Sequence, residues 1–397
     1  MTRLVHDLSI AKPDYVDGSI VNLMRSLGDA LGAELTPYAP LAGLAGLDAR
    51  LRDAKRIVLL VIDGLGAELL QAIGTGTVFS ERQVGTMTSV YPPTTATAIT
   101  TFMSGLAPQQ HGLTGWFMHF RQLGTVTAVL PFVPRYGRVP LSSYGIDISA
   151  VIDCPSFFDT IDQPSIALLP KGIANSDFSR LLGGRARRLP FDSLEDFAAR
   201  LKACCEGLED ARYIYAYWSE LDHLSHLHGP SSPEVEAHLA ALNDALAPVI
   251  DACTGSGTVL IATADHGFID SGADERIDMV DHPDLADMLS LPLCGEPRSA
   301  YCYVRAGCVA SFEQYVTREL ADFAHLVPSE QLLDEGWFGL GDPHPDLGAR
   351  IGDYTLQMRG RYTIRDRVLG ERESHLKGVH GGTAAAELHV PLILAGP

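Results

Sequence analysis

Three stretches of this chain are apolar almost without a break: Arg56-Ile-Val-Leu-Leu-Val-Ile62, Arg212-Tyr-Ile-Tyr-Ala-Tyr217 and Thr258-Val-Leu-Ile-Ala262. A strand wetted on one face alternates polar and apolar residues. A run that does not alternate reads as a strand buried on both faces, which is the habit of a parallel sheet. Each run also leads to an aspartate: Asp63 directly, Asp222 one turn further on, and Asp265 within Thr263-Ala-Asp-His-Gly267. Ligands of open α/β sheets sit beyond the carboxyl ends of the strands. Three carboxylates gathered there repel one another unless cations lie between them.

Histidines accompany the acids. Asp222 and His226 are four residues apart and share one face of a helical turn. Asp265 is followed by His266, and His380 stands among Gly378, Gly381 and Gly382, where backbone can approach closely. Oxygen and imidazole donors together suit zinc, with manganese or iron also compatible with the ligand types. Three aspartates and two divalent ions sum to about +1, and a threonine alkoxide brings the total to about zero, so such a site accepts a phosphoryl anion. The Gly64-Leu-Gly66 turn invites a dinucleotide reading, but Leu69 stands where a third glycine belongs. No GxxxxGK[ST] loop occurs either, so both phosphate-loop readings fail.

The segment Thr86 to Gly112 supplies that threonine. Pro92-Pro93 stop the preceding strand because proline has no N–H to give. A helix is expected from Thr94-Thr95 to Gly105, which closes it as a C′ glycine. A hydroxyl at that helix start lies near the positive end of the dipole, where a phosphoryl oxygen is stabilised. The plainer reading makes Thr94 an N-cap and leaves Thr95 and Thr97 to fill space.

The formal charge of −19 disfavours duplex nucleic acid and anionic membrane surfaces as partners. Seven cysteines without a CxxC read as reduced thiols, and no apolar leader or run of membrane-spanning length occurs, so the expected setting is cytoplasmic. Amphipathic helices are expected at Ile20–Leu31, Ser193–Cys205 and Pro233–Ala252. Residues 298–375 change character, with alternating Tyr301, Tyr303 and Val304 and then polar loops. They are expected to be an inserted subdomain, leaving 1–297 and 376–397 as the metal-binding core.

Five blocks in this order, VIDGLG at 61–66, YPPTTATAITTFMSGLAPQQHG at 91–112, SELDHLSHLHG at 219–229, ATADHGF at 262–268 and GVHGG at 378–382, make the chain similar to the alkaline phosphatase superfamily. They most resemble its nucleotide pyrophosphatase/phosphodiesterase-like branch. The resemblance implies an α/β/α sandwich with a central, mostly parallel sheet and a smaller inserted subdomain. It implies hydrolysis of phosphodiester or pyrophosphate bonds in a small phosphoester, through two zinc ions and a phosphothreonine intermediate on Thr95. One ion would be held by Asp222, His226 and His380, the other by Asp63, Asp265 and His266 with Thr95 beside it. His223, His228 and His282 are the competing donors and read as surface or surrounding groups.

Two departures bear on the substrate. Similar diesterases have Phe-Pro-Asn after the nucleophile, where Ala96-Thr97-Ala98 stands here. They also place a phosphate-holding asparagine shortly after the His-Gly pair. Here Leu113-Thr114-Gly115-Trp116 has none, and Thr114 is the nearest donor. Trp116, Phe117, Phe120, Phe132 and Tyr136 are candidates to line a pocket for a planar leaving group, against ordinary packing. A phosphomonoesterase, phosphonate hydrolase or phosphomutase is the alternative within the superfamily. Outside enzymes, the alternative is a metal-stabilised binding protein. No C/S-x-P-x-R sequence exists, which disfavours a sulfatase.

Overall fold

The computed structural model describes residues 6–33, 38–371 and 375–396. The three apolar runs are strands Arg56–Ile62, Tyr213–Trp218 and Thr258–Thr263, adjacent and parallel at the centre of a seven-stranded sheet. Across that sheet the order is Gln83–Thr88, His389–Ala395, Thr258–Thr263, Arg56–Ile62, Tyr213–Trp218, Ser165–Pro170, Arg187–Phe191. His389–Ala395 runs antiparallel to both neighbours, and the other pairings are parallel. The registers Leu60↔Ala216 and Leu60↔Ala262 align the strand ends, so Asp63 and Asp265 emerge side by side. Every residue of Tyr213–Trp218 and Thr258–Thr263 is buried, as a sheet covered on both faces requires.

The expected helices form. Ile20–Leu31 buries Ile20, Val21, Leu23, Met24, Leu27 and Leu31. Leu194–Glu206 starts where the Ser193 hydroxyl accepts the Asp196 N–H, and Pro233–Ala252 buries Val235, Leu239, Leu242 and Leu246. Thr95–Ser104 runs to Gly105, whose φ of 75° is the left-handed C-cap conformation. Among the described residues no helix is long and apolar enough to cross a membrane, and all seven cysteines are free.

A second, antiparallel sheet orders Ala324–Pro328, Tyr354–Met358, Ser299–Cys302, Cys294–Glu296, Phe117–Phe120, Thr125–Ala128 and Val133–Pro134. The boundary drawn at residue 298 therefore falls inside one hairpin, since Cys294 pairs with Tyr301. Residues 117–134, placed with the core by sequence, pair with the later strands through Phe117 and Gly295. These strands are short, and their burial alternates or stops after a few residues, so they left no long apolar run to read. The second sheet packs a separate hydrophobic core around Leu285, Phe312, Leu320 and Leu356.

The N-terminal segment is fastened to the loop after His380: Ser9 and Asp7 carbonyls accept the Ala385 and Ala386 N–H groups, at 2.9 and 3.0 Å. Beside it, His6 lies between Glu68 (2.6 Å) and Asp270 (3.1 Å), and Ile269–Asp270 pairs with Gly378–Val379, the strand leading into His380. Burial alone lowers the His6 pKa, but the two carboxylates override it and raise the value from 6.5 to about 9. A folded-state pKa above the unfolded one stabilises fully below the unfolded value, and the effect is lost as pH climbs through about 9. His6→Gln is thus expected to lower the melting temperature most below pH 6.5, with wild type and variant converging as the pH passes about 9. Thermal melts of both proteins across that range check this; a constant gap would rule out the ionic clamp.

Candidate active site

Two glycines let the strand ends meet. Gly64 has φ 77°, and a Cβ there would lie 2.5 Å from the Phe268 ring and 3.3 Å from the Asp222 Cα. A Cβ on Gly66 would lie 2.5 Å from the Gly267 Cα. The Gly-x-Gly that looked like half a dinucleotide motif is therefore a close-approach device, bringing the Asp63, Asp222 and Asp265 turns together.

Their carboxylates converge on one imidazole. His266 Nε2 lies 3.3 Å from Asp63 Oδ1, 3.4 Å from Asp265 Oδ2 and 3.9 Å from Asp222 Oδ1. Asp222 and His226 share a face of helix Glu220–His228, with Asp222 Oδ1 3.5 Å from His226 Nε2. His380 Nε2 is 3.2 Å from His226 Nε2 and 3.9 Å from Asp222 Oδ1, and its ring stacks on His266 at 3.7 Å between centroids. Within the cluster, Asp63, Asp265 and His266 form one group of converging donor atoms; Asp222, His266 and His380 form another. His226 adjoins the second group at the distances just given.

The main chain sets the direction of all three rings. His226 Nδ1 meets the Gly378 carbonyl at 2.9 Å, His266 Nδ1 the Gly267 carbonyl at 3.1 Å, and His380 Nδ1 the Pro93 carbonyl at 3.2 Å. A carbonyl only accepts, so each Nδ1 carries the hydrogen and each Nε2 turns towards the carboxylates. The far sides of the acids are satisfied: Asp265 Oδ1 accepts the Gly64 and His266 N–H groups, both at 3.0 Å, and Asp63 Oδ2 accepts the Tyr217 hydroxyl. The near sides are not. Asp63 Oδ1, Asp222 Oδ1 and Asp265 Oδ2 are buried, with no hydrogen-bond partner.

The electrostatics agree. Burial first, then Asp265 and Asp222, pushes the Asp63 carboxyl well above its usual range. Burial, with His266 and His226 added, pushes His380 well below its own. One proton on His266 could satisfy one of three orphaned oxygens and would leave the His226 and His380 nitrogens facing each other. Cations with several ligands each satisfy all of them, so the donor set fits a di-metal centre.

Thr95 stands at the first turn of its helix with its Oγ1 3.2 Å from His266 Nε2. Thr94 precedes it but does not cap with its side chain; its hydroxyl donates to Glu296 Oε1 at 2.7 Å. The other expectations divide. His223 is exposed, His228 lies 3.7 Å from Glu234, and His282 meets the Tyr315 hydroxyl. Thr114, the nearest donor to the place of the missing asparagine, is fully buried, and its hydroxyl has no hydrogen-bond partner among the described residues. Phe120 and Phe132 are core, Phe117 lies under the Arg135 guanidinium, Tyr136 is exposed, and the Trp116 main-chain N–H donates to Glu296. Sequence reasoning missed Glu296 altogether, because a lone acid in Cys-Gly-Glu-Pro carries no pattern.

The family model for type I phosphodiesterases / nucleotide pyrophosphatases matches residues 57–131 and 170–383, and the chain belongs to that family of enzymes. Solved structures similar to it include murine ectonucleotide pyrophosphatase/phosphodiesterase 5 at 17% identity (TM-score 0.64) and the human protein at 18% (TM-score 0.65). A third is the murine protein as an inactive threonine-to-alanine variant in complex with AMP, at 18% identity and TM-score 0.66. Each comparison covers 86% of this chain and 88% of the other. No curated protein matches the sequence.

Chelation is expected to unmask the carboxylate repulsion and lower the melting temperature, and added zinc to restore it. Scanning calorimetry with chelator and then with metal measures both; an unchanged transition would argue against a preformed metal centre.

Proposed function

We propose that this enzyme cleaves phosphodiester or pyrophosphate bonds of a small, nucleotide-like phosphoester, with Thr95 as nucleophile and two divalent ions, zinc by ligand type. The carrying observation is the Thr95 hydroxyl beside a histidine that three unpartnered carboxylate oxygens face. Asp63, Asp265 and His266 would hold one ion, and Asp222, His226 and His380 the other. The AMP complex of the inactive murine variant supports a nucleotide-like substrate and an essential threonine. We also propose a reducing, cytoplasmic setting, supported by seven free cysteines.

Bound ions supply charge neutralisation for the phosphoryl group and acidify the oxygens they hold. The chain's own contribution is placement. Helix Thr95–Ser104 directs the positive end of its dipole at the reacting group while fixing the Thr95 hydroxyl at its first turn. Thr95 Oγ loses its proton and attacks phosphorus; the bond to the leaving oxygen breaks and a phosphothreonine forms. Water then attacks that phosphorus, the Thr95 oxygen departs and regains a proton, and phosphate or a nucleotide leaves. The three Nδ1–carbonyl bonds hold the imidazoles still throughout.

Thr95→Ala is expected to abolish turnover of a nitrophenyl phosphodiester while zinc content stays close to wild type. Assaying hydrolysis and bound metal on the same preparations separates this enzyme from a metal-stabilised binding protein. A variant as active as its parent would remove Thr95 from the mechanism.

A further inference from the structure

Glu296 is a buried acid that the mechanism leaves unused. It ends strand Cys294–Glu296 of the second sheet and is 7% exposed. Its Oε1 accepts the Thr94 hydroxyl at 2.7 Å and the Trp116 N–H at 2.7 Å. A Cβ placed on Gly381, next to His380, would lie 2.8 Å from the Glu296 Cβ. Three loops of the site therefore converge on this side chain: the nucleophile turn, the loop after His111-Gly112, and the His380 loop.

We propose that Glu296 is the specificity-determining residue of this site: it fixes the turn that carries Thr95 and, by its charge, favours singly charged phosphodiesters over doubly charged monoesters. The inference rests on the phosphoesterase reading and deepens it. The loop after His111-Gly112, Leu113-Thr114-Gly115-Trp116, carries no side-chain amide. The Trp116 main-chain N–H of that loop is taken by Glu296. A transferred group thus finds a carboxyl near the place where a neutral donor was expected. A diester brings one negative charge; a monoester above its second pKa of about 6 brings close to two. Like charges at close range in a partly buried site oppose binding far more than in water. Position and charge act through different parts of the side chain, so they separate by substitution.

The zinc-loaded enzyme is assayed at about pH 8.5, above the value of about 7 to which burial raises the Glu296 carboxyl, on a nitrophenyl phosphodiester and the matching monoester. Glu296→Gln keeps an acceptor oxygen but removes the charge. It is expected to raise the monoester-to-diester ratio of kcat/KM about tenfold or more, with melting temperature and zinc content unchanged. Thr94→Val keeps the charge but removes the hydroxyl; it should lower kcat on both esters, with KM and their ratio preserved. An unchanged ratio in Glu296→Gln, in an enzyme whose wild type hydrolyses the diester, overturns the specificity role and leaves the phosphoesterase reading standing. A zinc-loaded wild type that hydrolyses neither ester overturns that reading, and this inference with it.

Discussion

Three buried carboxylate oxygens without donors, aimed at one imidazole, are the constraint on which the rest of this molecule depends. Their mutual repulsion in a low-dielectric interior works against folding unless cations offset it. The surrounding structure does not relax the strain by rotating an acid outward. Instead it satisfies the far oxygens of Asp63 and Asp265, ties each histidine Nδ1 to a carbonyl, and closes the strand ends together through glycine. Neutral residues of the same volume would pack more cheaply. An arrangement that keeps the charges and orients the three imidazoles is consistent with a di-metal site.

The two sheets divide the labour. The parallel sheet supplies the ligands, because aligned strands deliver their carboxyl ends to one edge. The antiparallel sheet holds the turn that leads into Thr95. Tyr91, just before Pro92-Pro93, packs its ring on Trp337 and bonds Ser299, while Thr94 bonds Glu296. From the same sheet, Arg298 pairs with Glu387 through two bonds, and Glu387 also accepts the Gly382 N–H two residues beyond His380. This pair is almost completely buried. It ties the position of His380 to the sheet that holds the Thr94–Thr95 turn.

Most of the candidate donor cluster was legible because burial on both faces leaves an unmistakable apolar run and the acids follow at its end. Thr95–Ser104 was legible through Pro92-Pro93 and Gly105, which are backbone signals. What escaped notice lacks any such signal. Short strands such as Phe117–Phe120 and Cys294–Glu296 depend on partners far along the chain. The atoms that aim the histidines are main-chain carbonyls, which any residue provides. Glu296 and Arg298 owe their importance to contacts with Thr94 and Glu387, and sequence separation of that size conceals them.

The strand His389–Ala395 fills the gap between Gln83–Thr88 and Thr258–Thr263, and the segment just before it is stitched to residues near the start of the described chain. A ribosome delivers the chain in the opposite sense to this dependence. Within its sheet, among the described residues, Gln83–Thr88 pairs with no other strand, so it stays unpaired until His389–Ala395 has been made. Until then Gln83–Thr88 is an exposed template for pairing, and Asp63 and Asp265 lack His380 beside them. Arrival of the far segment pairs that strand and brings His380 to the acids, so the outer part of the sheet and the candidate metal cluster are completed together.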